Sequence, residues 1–236
     1  MLLFTQFFTH SGAREMIAIG RIVQETEVGR LFQLVTCLSN LPKQNDAEAL
    51  VIINGLAEPQ RTQEVVNIWN EGIGRYLLVT SPGLYERTPY RFTIKELVET
   101  FGLTRKSGVY TQVTPVPDTR DHSRWAIEHL KDLGVTSANV YTSFYHMPRT
   151  FLTMLRCMID ADIARRLNLY PCPIKISPFE ISPEINSPMH SLCEGEAQKI
   201  PIYQEKGDIA SHEEFMTYIE WMWNQGKDTP RKKRGV

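Results

Sequence analysis

Four short apolar runs, each followed by a polar turn and then by a helical segment, constrain the fold of this chain more than any other feature. The runs are Ala49 to Ile53, Tyr76 to Val79, Val109 to Val113 and Asn139 to Tyr141. Short continuous apolar runs are typical of strands that are buried on both faces. Because strand and helix alternate, the strands should be parallel and joined by helical crossovers. The sequence therefore predicts an α/β protein with a doubly wound, mainly parallel sheet.

The segments between these runs carry helical signals. Apolar residues recur at helical spacing after the first and third runs. They are Val65, Val66, Ile68, Trp69, Trp125, Ile127 and Leu130. The segment after the second run opens with Thr93 and Glu96, which have the spacing of a capping box. Each connection is thus predicted to be a helix.

The whole chain of 236 residues is predicted to form a single domain. Residues 1–45 should be an N-terminal helical region, with one or two helices between Ala13 and Leu38. Residues 46–178 should form the α/β core, whose sheet has about five strands, the fifth at Pro173 to Ile176. Residues 179–236 should contain an irregular excursion, a closing helix and a basic tail.

The C-terminal part is predicted from two contrasting patterns. Ser177 to Ile202 is rich in Pro and Ser, which favours irregular structure. A capping box at Ser211 and Glu214 then opens a helix with one apolar stripe. The stripe consists of Phe215, Ile219, Met222 and Trp223. We expect this closing helix to dock on the core.

The composition limits the classes of partner. A formal net charge of -1 provides no overall attraction to nucleic acid or to an anionic membrane. The basic run at Arg231 to Arg234 is interpreted as a solvated tail, and no segment has the length of a membrane span. The four cysteines form no close pair, so they are predicted to be buried, reduced thiols in a cytoplasmic protein.

The topology predicts where a ligand would bind. In an open parallel sheet, ligands lie beyond the carboxyl ends of the strands, where loops enter the following helices. Four loops should therefore converge, at residues 54–61, 80–91, 114–124 and 142–149. The candidate ligand-binding residues in them are Asn54, Gly55, Arg61, Thr80, Ser81, Gly83, Asp118, Thr119, Arg120, Ser143 and Arg149.

Every one of these loops places arginine at or near the start of the next helix. The arginines are Arg61, Arg87, Arg91, Arg120, Arg124 and Arg149. A cation at a helix N-terminus is unfavourable unless an anion neutralises it, and free helix N–H groups suit phosphate or carboxylate. The pattern predicts a small anionic ligand. The alternative is that the arginines pair with Glu58, Asp118, Asp121 or other carboxylates.

Two loops also contain groups that could transfer a proton. His122 and Asp121 lie in the third loop and His146 in the fourth. Histidine titrates near neutrality, so either ring could act as a general acid or base. We favour His146 because it lies in a strand-to-helix turn beside Arg149. Purely structural histidines are the alternative, and the spacing of the three residues matches no metal motif.

The segment from Val140 to Arg149 resembles a motif of the SanA/ElyC/YdcF-like family, a bacterial α/β group that is a domain of unknown function. The similarity lies in a hydrophobic strand, a Thr-Ser turn and a His-x-x-Arg helix start, and it extends from about Glu48 to Ile176. Arg61 and the turn at Thr80 to Gly83 also fit. The resemblance implies a phosphorylated or adenosine-like ligand, with S-adenosylmethionine as a candidate, and envelope roles for some members. Those members have an N-terminal anchor that this sequence does not show.

The residue patterns and the resemblance together support three functional hypotheses. The leading one is an enzyme of hydrolase or transferase type that binds an anionic metabolite, with Arg61, Arg120 and Arg149 holding the anion. The second is a binding module without catalysis. The third, a methyltransferase that uses S-adenosylmethionine, lacks the glycine-rich turn usual after the first strand.

Overall fold

A five-stranded parallel sheet forms the centre of the protein. Its strands are β1 (Ala49–Ile52), β2 (Tyr76–Val79), β3 (Val109–Thr111), β4 (Ser137–Ser143) and β5 (Asn168–Ile174), in the spatial order β3-β2-β1-β4-β5. The computed structural model describes residues 27–41, 46–55, 59–83, 90–182 and 186–228. The four predicted runs are neighbouring parallel strands of this sheet, which confirms the doubly wound fold.

The central strand shows why the apolar runs are continuous. β1 pairs with β2 on one side and with β4 on the other, both in parallel. Val51 and Ile53 contribute to the core on one face of the sheet, whereas Leu50 and Ile52 contribute to the core on the opposite face. Successive side chains of a strand point to opposite faces, so a strand covered on both faces needs apolar residues at every position.

Helices cover both faces of the sheet. α1 (Glu27–Asn40), α4 (Thr119–Asp132) and α5 (Met147–Asp160) contribute to one core, and α2 (Pro59–Asn70) and α3 (Ile94–Glu99) to the other. The helix predicted between Ala13 and Leu38 is confirmed from residue 27 onward. Its earlier part, and the basic run at residues 231–234, lie outside the described residues.

The predicted capping box at Ser211 and Glu214 is complete, and the one at Thr93 and Glu96 is formed in part. Thr93 Oγ1 accepts the N–H of Glu96 at 3.2 Å, and the Glu96 carboxylate accepts the N–H groups of Arg91 and Phe92. Ser211 and Glu214 cap reciprocally, because each accepts the backbone N–H of the other, at 3.1 and 2.8 Å. These bonds satisfy donors that a helix start leaves free.

The fifth strand begins earlier than predicted. β5 extends from Asn168 to Ile174, whereas the apolar run had suggested Pro173 to Ile176. Pro171 and Pro173 lie inside it, and proline lacks the N–H that a strand donates. The strand tolerates them because it lies at the edge of the sheet and pairs only with β4.

The prediction of an irregular excursion over Ser177 to Ile202 was wrong. The segment contains a small antiparallel pair, β6 (Ile181–Ser182) and β7 (Ser187–Pro188), and then the helix α6 (Leu192–Glu205). Pro201 lies inside α6, and an internal proline normally disrupts a helix. Tertiary contacts have overridden this local preference, because α6 is anchored by the buried residues Glu196 and Ile200.

The closing helix α7 (His212–Asp228) docks on the core, but its stripe differs from the predicted one. Phe215 and Ile219 are buried as expected, whereas Trp223 is 51% exposed. Trp223 follows Phe215 at about 80° around the helix axis, at the margin of the stripe. Tyr218 is buried in its place, and its hydroxyl donates to the Leu167 carbonyl.

The cysteines are all free thiols. Cys157 and Cys172 are buried, as predicted, and Cys37 is half-buried. The prediction was wrong for Cys193, which is exposed on α6, a helix that the sequence had not suggested. Among the described helices, none is both long enough and apolar enough to cross a bilayer.

Candidate functional site

A cavity of about 250 Å³ lies at the carboxyl ends of the strands. It is located where β1 and β4 are neighbours, the point at which the chain order of the sheet reverses and where open α/β sheets bind ligands. Most of the predicted site residues line it. These are Asn54, Gly55, Arg61, Gly83, Asp118, Thr119, Arg120, His122, His146 and Arg149.

The other predicted residues lie behind or beside the cavity. Thr80 accepts the backbone N–H of Asn54 at 2.9 Å, and Ser143 Oγ accepts a hydrogen bond from Arg61 Nε at 2.8 Å. Ser81 bonds to Gln112, so it also supports the site indirectly. Asp121 does not line the cavity, because its carboxylate pairs with Arg124 on the same helix, at 2.7 Å.

Arg61 is almost fully buried beneath the cavity. Its guanidinium donates to Ser143 Oγ, the Ile53 carbonyl and the Tyr145 hydroxyl. These partners come from the carboxyl ends of β1 and β4, so Arg61 joins the two loops that border the cavity. Of the other predicted arginines, Arg91 is exposed and Arg87 lies outside the described residues.

His146 is the N-cap residue of α5 and is held by a carboxylate that the sequence had not suggested. Its Nδ1 lies 2.8 Å from Glu196 Oε2. A carboxylate can only accept, so Nδ1 carries the hydrogen and Nε2 has the lone pair. Arg149 Nη2 also approaches Nδ1, to 3.2 Å. Because both atoms are donors, this contact is not a hydrogen bond, and it brings the positive charge of Arg149 close to the ring. Burial and this positive charge lower the pKa of His146 to about 4.

Arg149 pairs with Glu196 through two bonds. Nε and Nη2 donate to Oε2 and Oε1 at 2.6 and 3.1 Å, and Nη1 donates to Thr119 at 3.2 Å. Lys199, one turn further along α6, donates to Glu196 Oε1 at 2.8 Å. The alternative interpretation of the arginines, pairing with a carboxylate, therefore applies to Arg149 in this structure.

Glu196 is the centre of this cluster. Burial opposes its ionisation, but hydrogen bonds from His146 and Arg149 and the positive charge of Arg149 hold the pKa of this carboxyl well below its usual range. The cluster of Glu196, Arg149 and Lys199 has two positive charges against one negative, so a net positive charge faces the cavity at neutral pH. Of these three residues, only Arg149 belonged to a segment that the sequence had marked.

His122 is the second histidine that lines the cavity, and it lies on α4. Its Nδ1 lies 2.8 Å from Gln112 Oε1, which also faces the backbone N–H of Ser81 at 3.3 Å. Because that N–H can only donate, the amide atom must be the oxygen, and His122 Nδ1 must carry its hydrogen. Burial lowers the pKa of His122 to about 4, although the Asp118 carboxylate acts in the opposite direction. His122 is thus neutral at pH 7, with its lone pair on Nε2.

Arg120 is also paired with carboxylates. Its guanidinium bonds to Asp208, in the loop after α6, and lies 3.7 Å from Asp160 at the end of α5. Its Nε is buried without a hydrogen-bond partner in the described part of the chain. Arg120 lines the cavity, but its charge is balanced by neighbouring acids and its Nε is not accessible from the cavity.

The sequence pattern did not predict that α6 forms one wall of the cavity. Glu196, Lys199 and Tyr203 lie on one face of this helix, and the Tyr203 ring is 5.5 Å from the Arg149 guanidinium. The one local signal for this wall was the i, i+3 spacing of Glu196 and Lys199, which is common on solvated helices. Within the described ranges, no cluster of His, Cys, Asp and Glu is arranged to hold a metal ion.

Compared with known proteins, the chain matches no protein-family model and no curated protein.

The buried histidines predict how stability depends on pH. His122 has a pKa of about 4 in the fold, against 6.5 for the free side chain, so the unfolded chain binds its proton first as the pH falls. The fold should lose about 3 kcal/mol between pH 7 and pH 4 through His122 alone. Urea unfolding at both pH values measures this loss of unfolding free energy. In the variant His122→Gln, the loss should be smaller than in the wild type by about this amount. Equal losses in the two proteins would contradict a neutral, buried His122.

Proposed function

We propose that this protein is an enzyme of hydrolase or transferase type that binds an anionic small molecule of the phosphorylated or nucleotide-like class. The observation that most supports this is the contact between His146 and Glu196 in a cavity that also has Arg149 and Lys199. A carboxylate that fixes the Nδ1–H tautomer of a histidine leaves Nε2 available to accept a proton, and it stabilises the imidazolium that forms.

Separate roles for the charged groups follow from their positions. Glu196 is a positioning residue, and His146 is the proton acceptor. The net positive charge of the Glu196, Arg149 and Lys199 cluster attracts the ligand's anionic group, aided by the N-terminus of α5, which has no side-chain cap. Lys199 is half exposed, so it can leave Glu196 for a ligand at little cost.

The second candidate is a binding module that does not turn its ligand over. The low pKa of His146 favours it, because an efficient general base has a pKa near the working pH. The engagement of Arg149 with Glu196 does not separate the two candidates, since the two guanidinium donors are used in either case.

The resemblance to the SanA/ElyC/YdcF-like family remains part of the proposal. S-adenosylmethionine is the less supported ligand, because the cavity of about 250 Å³ is below the usual range for drug-sized ligands, roughly 300–1,000 Å³. The net charge of -1 supports a small-molecule ligand over nucleic acid. A cytoplasmic location belongs to the same proposal.

Turnover by purified protein tests the proposed activity. We expect the wild type to convert at least one member of a panel of phosphate esters and nucleotides, followed by mass spectrometry. His146→Asn should lower kcat by about a hundredfold or more, the range for loss of an acid–base group. Asparagine suits a helix N-cap, so folding should be kept.

Glu194→Gln is the matched control for Glu196→Gln, because Glu194 is exposed on the same helix. Only the latter should reduce kcat. If calorimetry detected binding of a panel member without turnover, the binding module would be the better description. Full activity in His146→Asn would remove this residue from the mechanism.

A further inference from the structure

Two imidazole nitrogen atoms of residues that line the cavity can act only as hydrogen-bond acceptors. His122 and His146 both have Nδ1–H committed, to Gln112 and Glu196, and both rings are neutral at pH 7. No hydrogen bond to either Nε2 atom is present within the ranges that the structure describes. Neither Nε2 is among the described side-chain atoms that are fully buried without a partner, so both can be reached by water or by the hydrogen-bond donors of a ligand.

Two carboxylates at the cavity, those of Asp118 and Asp208, can also accept hydrogen bonds from a ligand. Asp118 Oδ1 accepts the N–H of Asp121 at 3.0 Å, and Asp208 Oδ1 accepts from Arg120. The second oxygen of each has no partner among the residues described. A carboxylate has only acceptors, and hydrogen phosphate has at most two P–OH donors, so such an anion by itself could not donate to both imidazoles and to both of these carboxylates.

The same cavity also has donors that need an acceptor. Lys199 is cationic and half exposed, and the guanidinium groups of Arg120 and Arg149 belong to residues that line the cavity with it. A hydroxyl group both donates and accepts, so several hydroxyls can satisfy this mixture of groups. A cationic ligand would leave the positive cluster around Glu196 without an anion.

The size of the cavity limits the carbon skeleton. About 250 Å³ is less than the volume usual for drug-sized ligands, roughly 300–1,000 Å³. A ligand with several hydroxyls and one anionic group must therefore be small.

We propose that the cavity binds a sugar phosphate, whose hydroxyls donate to Nε2 of His122 and His146 and whose phosphate faces Arg149 and Lys199. This inference rests on the anionic ligand of the proposed function and specifies its chemical class. It gives His122 a recognition role that is independent of any proton transfer by His146.

Nitrogen NMR of the imidazole rings tests it without requiring turnover. In wild-type protein at pH 7, both Nε2 signals should have the shifts of unprotonated nitrogen. Ribose 5-phosphate or glucose 6-phosphate should move both signals saturably, and at least one should bind at least tenfold more tightly than inorganic phosphate or free ribose. His122→Phe should remove this advantage of the sugar phosphate and leave the affinity for phosphate unchanged.

Asp118→Asn provides a second variant in case His122→Phe does not fold. Asparagine still caps α4, and the ligand loses a charged acceptor, so sugar phosphate affinity should fall while the melting temperature stays the same. If the sugar phosphates bound no more tightly than phosphate, and the Nε2 signals did not move, the sugar phosphate inference would be overturned while an anion site remained. If neither sugar phosphates nor phosphate bound, the anionic ligand of the proposed function would fail as well.

Discussion

Replacing Glu196 with alanine is expected to lower the free energy of unfolding by about 3 to 5 kcal/mol, the usual cost of removing one partner of a buried ion pair. The side chains of Glu196 and Arg149 are only 10% and 12% exposed. Without Glu196, the Arg149 guanidinium would stay buried with Thr119 as its remaining hydrogen-bond partner, and His146 would lose the acceptor of its Nδ1–H. For a chain of this length, the melting temperature should fall by roughly 10 °C.

Glu194→Ala is the control for this experiment. Glu194 lies on the exposed face of α6 and bonds only to Gln198 along the same helix, so its loss should change stability by less than about 0.5 kcal/mol. Thermal and urea unfolding of both variants provide the comparison. Equal melting temperatures for the two variants would show that water or counterions replace Glu196 as the partner of Arg149. They would also show that Glu196 does not anchor α6.

Replacing Phe215 with alanine should cost about 3 to 5 kcal/mol, the range for removing a large aromatic side chain from a core. Phe215 is fully buried and packs edge-on against Phe151 of α5, with ring centroids 6.1 Å apart. The ring joins the closing helix to α5, the helix that His146 caps. Its loss leaves a cavity that the rigid sheet and helices cannot close.

Trp223→Ala is the matched control, since the sequence pattern assigned both residues to one stripe. The Trp223 side chain is half exposed, so its removal should change stability by less than about 1 kcal/mol. Urea unfolding measures both free energies. A loss for Trp223→Ala as large as that for Phe215→Ala would contradict the orientation of α7 described above.

The cluster around Glu196 connects stability with the candidate chemistry. α6 has few apolar residues in the core, Ile200 being one, and it is attached to α5 chiefly through His146 and Arg149. An anionic ligand that engages Lys199 or Arg149 would weaken the hold of Glu196 on these groups. Ligand binding and the docking of α6 should therefore affect each other.

Much of the fold followed from local patterns in the sequence. Continuous apolar runs mark strands that are covered on both faces, and their alternation with helices leaves few possible topologies. The carboxyl ends of parallel strands meet at one edge, so the convergence of Asn54, Arg61, His122, His146 and Arg149 could be predicted without any knowledge of their contacts. The capping bonds at Thr93 and Ser211 could be predicted from local spacing alone, because each joins residues three positions apart.

Only the tertiary structure decided what these residues do to one another. Glu196 lies 47 residues after Arg149 and 50 after His146, in a segment whose Pro and Ser content had suggested a loop. Whether that segment becomes a helix depends on the core and the charges against which it packs. The spacing of residues within the segment does not reveal these distant partners. The same dependence determined that Arg149 pairs with a carboxylate, that His122 is neutral, and that Trp223 faces solvent while Tyr218 is buried. Local sequence determines which atoms can donate, accept or be buried, but the long-range packing of α6 and α7 selects their partners.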